Sequence, residues 1–321
     1  MAKDFSANLR GQLREHESMA RHVSWRAGGA ARCAFFPQDK DDLAAFMRSL
    51  PPDELLLMVG LGSNLLVRDG GLDGTVVFTH GSLAGLSHIA LEGDGAVYAE
   101  AGVATPKLAR FAANHALIGG EFFAGIPGTM GGALAMNAGC HGGETWRYVE
   151  RVLMMNRRGE CIVRRVADFE IAYRHVQPLK AADEIFIAAW LRFLPGGEGA
   201  QALARQRIRE LLARRIATQP LGLPNAGSVF RNPPGDFAAR LIEAAGLKGM
   251  RLGGAQVSEL HANFIVNPEG KATANEIEML IMKIQAIVAQ KFAVQLVPEV
   301  RIVGKASTTD QVFLRKTVGE I

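Results

Sequence analysis

Apolar and polar positions change period several times along the chain. DDLAAFMRSL at 41–50 has the spacing of a short amphipathic helix, and ELLLMVG after it predicts a buried strand from Leu55 to Val59. That strand runs into GLGSNLLV, and TVVFTH supplies another strand beyond the Gly70-Gly71 turn. AVYAEAG alternates between two faces. Thr105-Pro106 then reads as an N-cap with proline at the first helical position, and the helix KLARFAANHALI should stop at Gly119-Gly120. Strand-like stretches follow around RVLMMN, CIVRRV and EIFIAAWLRF. PGGEG at 195–199 is a linker, and EGAQALARQRIRELLARR after it sets Leu203, Leu211 and Leu212 among charges at roughly helical spacing. Further on, PGDFAARLIEAAGLKG is a helix ended by Gly246, and HANFIVN is strand-like. Thr273 and Glu276 form a capping box ahead of an apolar face of Ile277, Leu280, Ile281, Ile284 and Val288. In VQLVPEVRIV, Val294, Leu296, Val300 and Ile302 fall on one side of a strand, and Gln295, Glu299 and Arg301 on the other. No internal repeat is visible. Helices and strands alternate throughout, which makes the class α/β or α+β with a boundary near 195–220.

Composition narrows this picture only a little. With 321 residues, two or three domains are expected, and 48% hydrophobic with 21% charged residues is ordinary for a globular protein. The formal net charge of +4 suits an anionic small molecule as well as a polymer. The basic run from Arg205 to Arg215 reads as a solvated helix face in preference to a nucleic-acid surface. Cys33, Cys140 and Cys161 lack CxxC spacing and cannot all pair, so reduced thiols, no zinc framework and a cytoplasmic location are expected. The polar N-terminal segment has no apolar core of a signal peptide, and no apolar run is long enough for a membrane span.

Candidate chemistry begins with AGIPGTMGGALAMNAGCHGG at 124–143, which is nearly all small residues with almost no charge. Such a stretch serves either close packing and tight turns or a ligand whose charged part lies against bare N–H groups. GLGSN at 60–64 is a second glycine loop at the end of a strand. It lacks the third glycine of a dinucleotide fingerprint and the GK[ST] of a P-loop, so alone it is equally a plain turn. Two such loops favour a pyrophosphate held between them. GSVFRNP at 227–233 puts Ser228 in a loop without a GxSxG elbow or triad spacing, so it is a cap or turn residue, or a donor and not an activated nucleophile. Glu299 reads as an exposed strand carboxylate paired with Arg301 or a lysine, and Tyr173-Arg174-His175 as a polar strand end.

Together these stretches resemble the UDP-N-acetylenolpyruvoylglucosamine reductase family. The resemblance rests on SWRAGGAA (24–31), VGLGSNLLV (59–67), AGIPGTMGGALAMNAG (124–139), AYR (172–174), PNAGSVFRNP (224–233), LIEAAGLKGMRLGGAQVSELHANFIVN (241–267) and PEVRIVG (298–304), which follow in order over residues 20–304. It implies an α+β chain with a vanillyl-alcohol-oxidase-type FAD-binding region of two subdomains, 1–80 and 81–195, and a substrate-binding domain, 196–321. It also implies an NADPH-dependent flavoenzyme that reduces UDP-N-acetyl-3-O-(1-carboxyvinyl)-glucosamine to UDP-N-acetylmuramate for peptidoglycan. Non-covalent FAD would lie against Gly60, Gly62, Ser63, Asn64, Gly125, Ile126, Pro127, Gly128, Thr129, Gly131, Gly132 and Asn137. The catalytic positions fall on Arg174, Ser228 and Glu299: hydride goes to C3, Arg174 and a protonated Glu299 meet the substrate carboxylate, and Ser228 protonates C2.

The chain departs from the family pattern in three places. The long insertion after the YR pair, which carries a tyrosine in some members, is missing, so this is the shorter type. Thr218 stands where others have lysine, with Arg215 or Arg231 as the alternative for the phosphates, Tyr173 and Asn232 are further candidate substrate contacts, and His175 replaces a frequent serine. GLGSN has no histidine to tether a flavin, unlike many oxidases on this scaffold, and keeping Arg174, Ser228 and Glu299 together argues against a non-catalytic nucleotide-binding protein. The expected partners are the UDP-sugar and NADPH, with no metal, nucleic acid or membrane, and the expected state is a monomer.

Overall fold

A computed structural model describes residues 9–81, 88–180 and 183–307. The chain forms two compact units. One contains Met1–Arg14, Ala34–Leu61 and Val76–Arg215, and the other Glu15–Cys33, Gly62–Thr75 and Ile216–Ile321.

The first unit is built on an antiparallel five-stranded sheet in the order Cys161–Arg165, Val149–Met155, Ile185–Arg192, Ala96–Glu100, Ile89–Leu91. Helix α1 (Lys40–Ser49) starts where Asp39 accepts hydrogen bonds from the amides of Asp41 (3.0 Å) and Asp42 (2.9 Å), an N-cap that satisfies orphan donors. It buries Leu43, Phe46 and Met47, and Phe46 stacks on Phe35 at 4.0 Å. Helix α2 (Thr105–Asn114) buries Leu108, Ala109, Ala112 and Ala113 on one face. The sequence places its N-cap at Thr105, whereas the structure places it at Ala104. Thr105 turns its hydroxyl away from the helix and donates to the Ile126 carbonyl at 2.6 Å, which ties the helix start to the glycine-rich segment. The helix also ends five residues before the expected glycines. Ala116 takes a left-handed φ of 55°, and Leu117–Ile118 leaves to pair with Leu194–Pro195, so tertiary pairing overrides helix propensity. Helix α3 (Met130–Met136) lies within the glycine-rich segment. Helix α4 (Ala200–Thr218) presents a mostly charged surface and buries Ala200, Ala204, Ile208 and Leu211, while Leu203 is 65% exposed and lies off that stripe.

The second unit packs around helix α6 (Ala274–Phe292). Its capping box is formed as the sequence predicts: Thr273 accepts from the Glu276 amide at 3.1 Å, and the Glu276 carboxylate accepts from the Thr273 amide at 3.0 Å. The expected face of Ile277, Leu280, Ile281, Ile284 and Val288 is fully buried, each such side chain contributing about 1.5–3 kcal/mol relative to exposure. Trp25, Leu66, Phe230, Leu241, Ile242 and Ile265 complete this core. Helix α5 (Ala238–Ala244) ends as predicted at Gly246, where the Leu247 amide reaches back to the Ile242 carbonyl at 3.2 Å. Three short strands, Arg251–Leu252, Ala255–Val257 and Ile265–Val266, form one sheet. The predicted last strand is shorter than its alternation suggests: only Arg301–Val303 is regular, paired in parallel with Leu65–Val67, and Pro298 falls in the irregular approach.

Cys33, Cys140 and Cys161 are free thiols. Among the described residues no group of His, Cys, Asp and Glu side chains is arranged to hold a metal ion, and no helix is long and apolar enough to cross a membrane.

Candidate active site

In the first unit the glycine-rich segment is fastened by backbone bonds before it offers anything to a ligand. The amides of Met130 and Gly131 donate to the carbonyls of Val103 and Ala101, both at 2.8 Å, and the Gly128 carbonyl accepts from the Thr105 amide at 3.0 Å. A Cβ on Gly131 would sit 3.0 Å from the Ala101 methyl, and one on Gly125 2.7 Å from Cys140 Sγ. Close packing against protein therefore accounts for the lack of a side chain at these two positions. The region around Thr129 is different. Its hydroxyl is buried with no hydrogen-bond partner, a Cβ on Gly60 would collide with it, and a Cβ on Gly132 would meet nothing nearer than that hydroxyl, at 3.9 Å. An orphaned buried hydroxyl costs stability unless something binds it. Ile126 is buried, while Pro127 and Gly132 are exposed and Gly128 is half-buried.

Arg174 belongs to the same unit. The strands Phe169–Ala172 and His175–Pro178 pair as a hairpin with Tyr173 and Arg174 as its two turn residues, where the sequence suggests only a strand end. Arg174 has φ 53°, a left-handed conformation that a non-glycine residue rarely adopts and that clusters at functional sites. Its guanidinium donates to the carbonyls of Gly139 (2.7 Å) and Asn137 (3.3 Å) and lies 5.0 Å from the centre of the Tyr173 ring. Asn137, expected at the cofactor, is buried and spends its side chain on the protein. Its Nδ2 donates to the Ala172 carbonyl (3.2 Å) and to Glu144 (3.1 Å), and its Oδ1 accepts from the Trp146 amide (3.1 Å). It therefore brackets the hairpin that carries Arg174.

A cavity of about 380 Å³ opens beside the guanidinium, lined by Cys140, Gly143, Glu144, Arg147, Tyr173 and Arg174 among others. Burial pushes the Cys140 thiol up to about 11, against the pull of Arg215 and Arg174, and it donates to the Phe122 carbonyl at 3.1 Å. Burial, followed by Arg214, Arg207 and Arg215, pushes His141 below its ordinary value. The arginines of α4 thus set up a positive field at this end of the segment, favourable to an anion. Cys140 and Glu144 line this cavity, and His141 lines a second one of about 200 Å³ with Phe122, Tyr148 and Arg207, without any sequence signal beyond their place among glycines.

The second unit holds the other two candidates on neighbouring segments. The Glu299 amide donates to the Val229 carbonyl at 2.7 Å, Phe230 bridges Pro298, and the Arg231 amide donates to the Val297 carbonyl at 2.9 Å. Ser228, half-buried, is therefore one residue from a direct backbone bond to Glu299. Asn64 reinforces this ladder: its Nδ2 donates to the Glu299 carbonyl (3.2 Å), and its own carbonyl accepts from the Arg301 amide (3.0 Å). Gly62 has φ 60° with its carbonyl accepting from the Ser24 amide at 3.1 Å, and Ser63 is half-buried beside it. Asn232 caps α5 through the Ala238 amide at 3.1 Å, and Arg231 keeps a buried Nε without a hydrogen-bond partner. Arg215 is half-buried in the first unit.

Residues 31–164 match the FAD binding domain family, and residues 219–303 match the C-terminal domain of UDP-N-acetylenolpyruvoylglucosamine reductase. The chain is 55% identical over 310 residues to the UDP-N-acetylenolpyruvoylglucosamine reductase of Thiobacillus denitrificans, covering 92% of this chain and 94% of that one. It belongs to the UDP-N-acetylenolpyruvoylglucosamine reductase family. The Methylococcus capsulatus reductase is 56% identical over 301 residues, covering 94% of this chain and 96% of its own length. The crystal structure of the reductase from Thermus caldophilus has a TM-score of 0.75 at 28% identity, over 91% of this chain and 99% of that one. The α+β fold is thus an FAD-binding region followed by the C-terminal domain of this reductase family, and the chain is an FAD-containing oxidoreductase. The residues present fit that cofactor: the unpartnered Thr129 hydroxyl beside Gly60 and Gly132 is the polar, side-chain-poor surface that a diphosphate requires.

Proposed function

We propose that the chain reduces the enolpyruvyl ether of UDP-N-acetyl-3-O-(1-carboxyvinyl)-glucosamine to UDP-N-acetylmuramate, a peptidoglycan precursor, with NADPH as reductant. The observation that carries the mechanism is the Glu299–Val229 backbone bond of 2.7 Å, which puts a hydroxyl donor and a carboxyl group on adjacent segments of a member of this family.

Gly60, Thr129 and Gly132 would hold the diphosphate of FAD, with the loop residues Gly62, Ser63, Asn64, Ile126, Pro127 and Gly128 around it. Bound FAD supplies the hydride that ends at C3 of the substrate, and the protein supplies position, charge and the proton. Negative charge developing at C2 spreads into the adjoining carboxylate. Arg174 meets it with a charge-assisted fork, two of its donors already being spent on the carbonyls of Asn137 and Gly139 so that the plane is fixed in advance. Glu299 hydrogen-bonds the same carboxylate in its protonated form. The Ser228 hydroxyl gives its proton to C2, which completes the addition of H⁻ and H⁺ across the double bond. A hydroxyl is a weak acid, yet a developing carbanion is a strong enough base to take its proton. Arg215 and Arg231 supply charge to the UDP phosphates, beside contacts from Tyr173 and Asn232.

The test is NADPH oxidation with and without the enolpyruvyl UDP-sugar. The expected result is consumption that depends on the sugar, one NADPH per sugar reduced. Oxidation that the sugar leaves unchanged, with no UDP-N-acetylmuramate formed, contradicts the proposal.

A further inference from the structure

Ser228 lies in a segment without regular strand structure, so the backbone around it needs partners from elsewhere. One residue supplies them along one edge. The Val229 amide donates to the Asn263 carbonyl (2.9 Å), the Phe230 amide donates to Asn263 Oδ1 (3.0 Å), and Asn263 Nδ2 donates to the Phe230 carbonyl (2.8 Å). The other edge is taken by the 297–299 segment, through the bonds from the Glu299 amide to Val229 and from the Arg231 amide to Val297. The Asn263 side chain thus imitates a peptide group of a neighbouring strand. Only a carboxamide can do this, because it donates and accepts in one plane, whereas a carboxylate only accepts and an aliphatic group does neither.

Asn263 is itself fixed. It is 4% exposed, its amide donates to His261 Nδ1 at 3.2 Å, and His261 packs edge-on against Phe264 with ring centres 4.6 Å apart. The His261 and Leu260 amides in turn donate to Ser258 Oγ at 3.3 and 3.2 Å. The whole turn from Ser258 to Phe264 therefore presents one carboxamide to the amide and carbonyl of one residue, Phe230.

We propose that Asn263 is a positioning residue for proton delivery, holding the backbone beside Ser228 so that its hydroxyl meets C2 in register with Glu299. The proposal rests on the reading of Ser228 as the proton donor. Misplacement of a reacting group by about 1 Å costs on the order of 10²-fold in rate, so the effect should be large although Asn263 touches no substrate atom.

Asn263→Asp keeps the acceptor for the Phe230 amide and loses the donor to its carbonyl, and Asn263→Ala loses both. Stopped-flow flavin absorbance of the holoenzyme follows reduction by NADPH and reoxidation by the enolpyruvyl sugar separately, in H₂O and D₂O, with Ser228→Ala alongside. The expected result is normal flavin content and normal reduction. Reoxidation should be about 10–100-fold slower, with a raised solvent isotope effect and faster amide exchange over 226–231. Normal reoxidation in a folded Asn263 variant, with Ser228→Ala slow, overturns the proposal and leaves the Ser228 reading standing. Normal reoxidation in Ser228→Ala overturns that reading itself. Equal slowing of both steps with reduced flavin content assigns Asn263 a purely structural role and also overturns the proposal. If neither Asn263 variant folds, exchange of the Phe230 amide in the wild-type holoenzyme decides. Protection at the level of α6 is required, and exchange as fast as an exposed loop contradicts it.

Discussion

Arg174 carries the sharpest conflict between local preference and use. At φ 53° it costs about 1–2 kcal/mol relative to a residue suited to that region, and glycine would sit there without steric strain. Arg174→Gly should remove turnover while changing stability by no more than about 1 kcal/mol in denaturant titration, because relief of the strained φ offsets the lost hydrogen bonds to Asn137 and Gly139 and the added chain entropy of glycine. Arg174→Lys retains the charge but not the planar fork, and should lower the rate of substrate reduction about 10²-fold in a folded enzyme. Wild-type turnover in the lysine variant would place the carboxylate contact elsewhere. The chemistry of this arginine was legible only through the AYR match, because Tyr173-Arg174 contains no turn residue to announce a hairpin. The asparagine brackets were not legible at all. Asn64, Asn137 and Asn263 stand in stretches that look like glycine loop or strand, and their partners lie 235, 35 and 33 residues away.

Among elements, α6 was readable in full, since its capping box and apolar stripe are local features. Its second cap was not. Asp69 accepts from the amides of Ala274 (3.1 Å) and Asn275 (2.8 Å), and Arg68 pairs with Glu278 through two bonds of 2.8 Å, across some 205 residues of sequence. Removing a cap of this kind costs about 1 kcal/mol, so Asp69→Ala should lower the unfolding free energy by that amount, seen as a lower denaturant midpoint at unchanged slope. An unchanged midpoint would make the contact incidental. The Ser258–Phe264 turn has a pH dependence of definite sign. Burial holds the folded-state pKa of His261 below its ordinary 6.5, so the unfolded chain takes up the proton first. The resulting stability is complete above about pH 6.5 and is lost as pH falls below it. His261→Gln should flatten the acid limb of a stability–pH curve, leaving the slope from His141, whose pKa is lowered in the same direction. A limb as steep as in the wild type would contradict this. The early end of α2 and the short final strand were unreadable for one physical reason: both are decided by pairing with distant chain, at Leu194–Pro195 and at Leu65–Val67.

At the scale of the whole molecule, the resemblance carried what periodicity could not, because elements alternating between helix and strand suit several α/β and α+β architectures. Composition excluded little beyond a membrane helix and a disulfide scaffold. Because GLGSN offers no histidine, we propose that the cofactor is held without a covalent bond, and acid precipitation should release all of the flavin and leave a colourless pellet. Colour retained on the denatured polypeptide would contradict non-covalent binding. The central claim is that the chain brings reducing equivalents and a proton to the two carbons of one double bond from separate sources, with Ser228 as the proton source. Stopped-flow absorbance of the Ser228→Ala holoenzyme tests it most directly. Flavin reduction by NADPH should proceed near the wild-type rate, while reoxidation by the enolpyruvyl sugar should slow by roughly 10²–10⁴-fold, the usual contribution of positioned proton transfer, with partial recovery in Ser228→Cys. Slowed reduction with reoxidation spared would make Ser228 a binding residue and contradict the account.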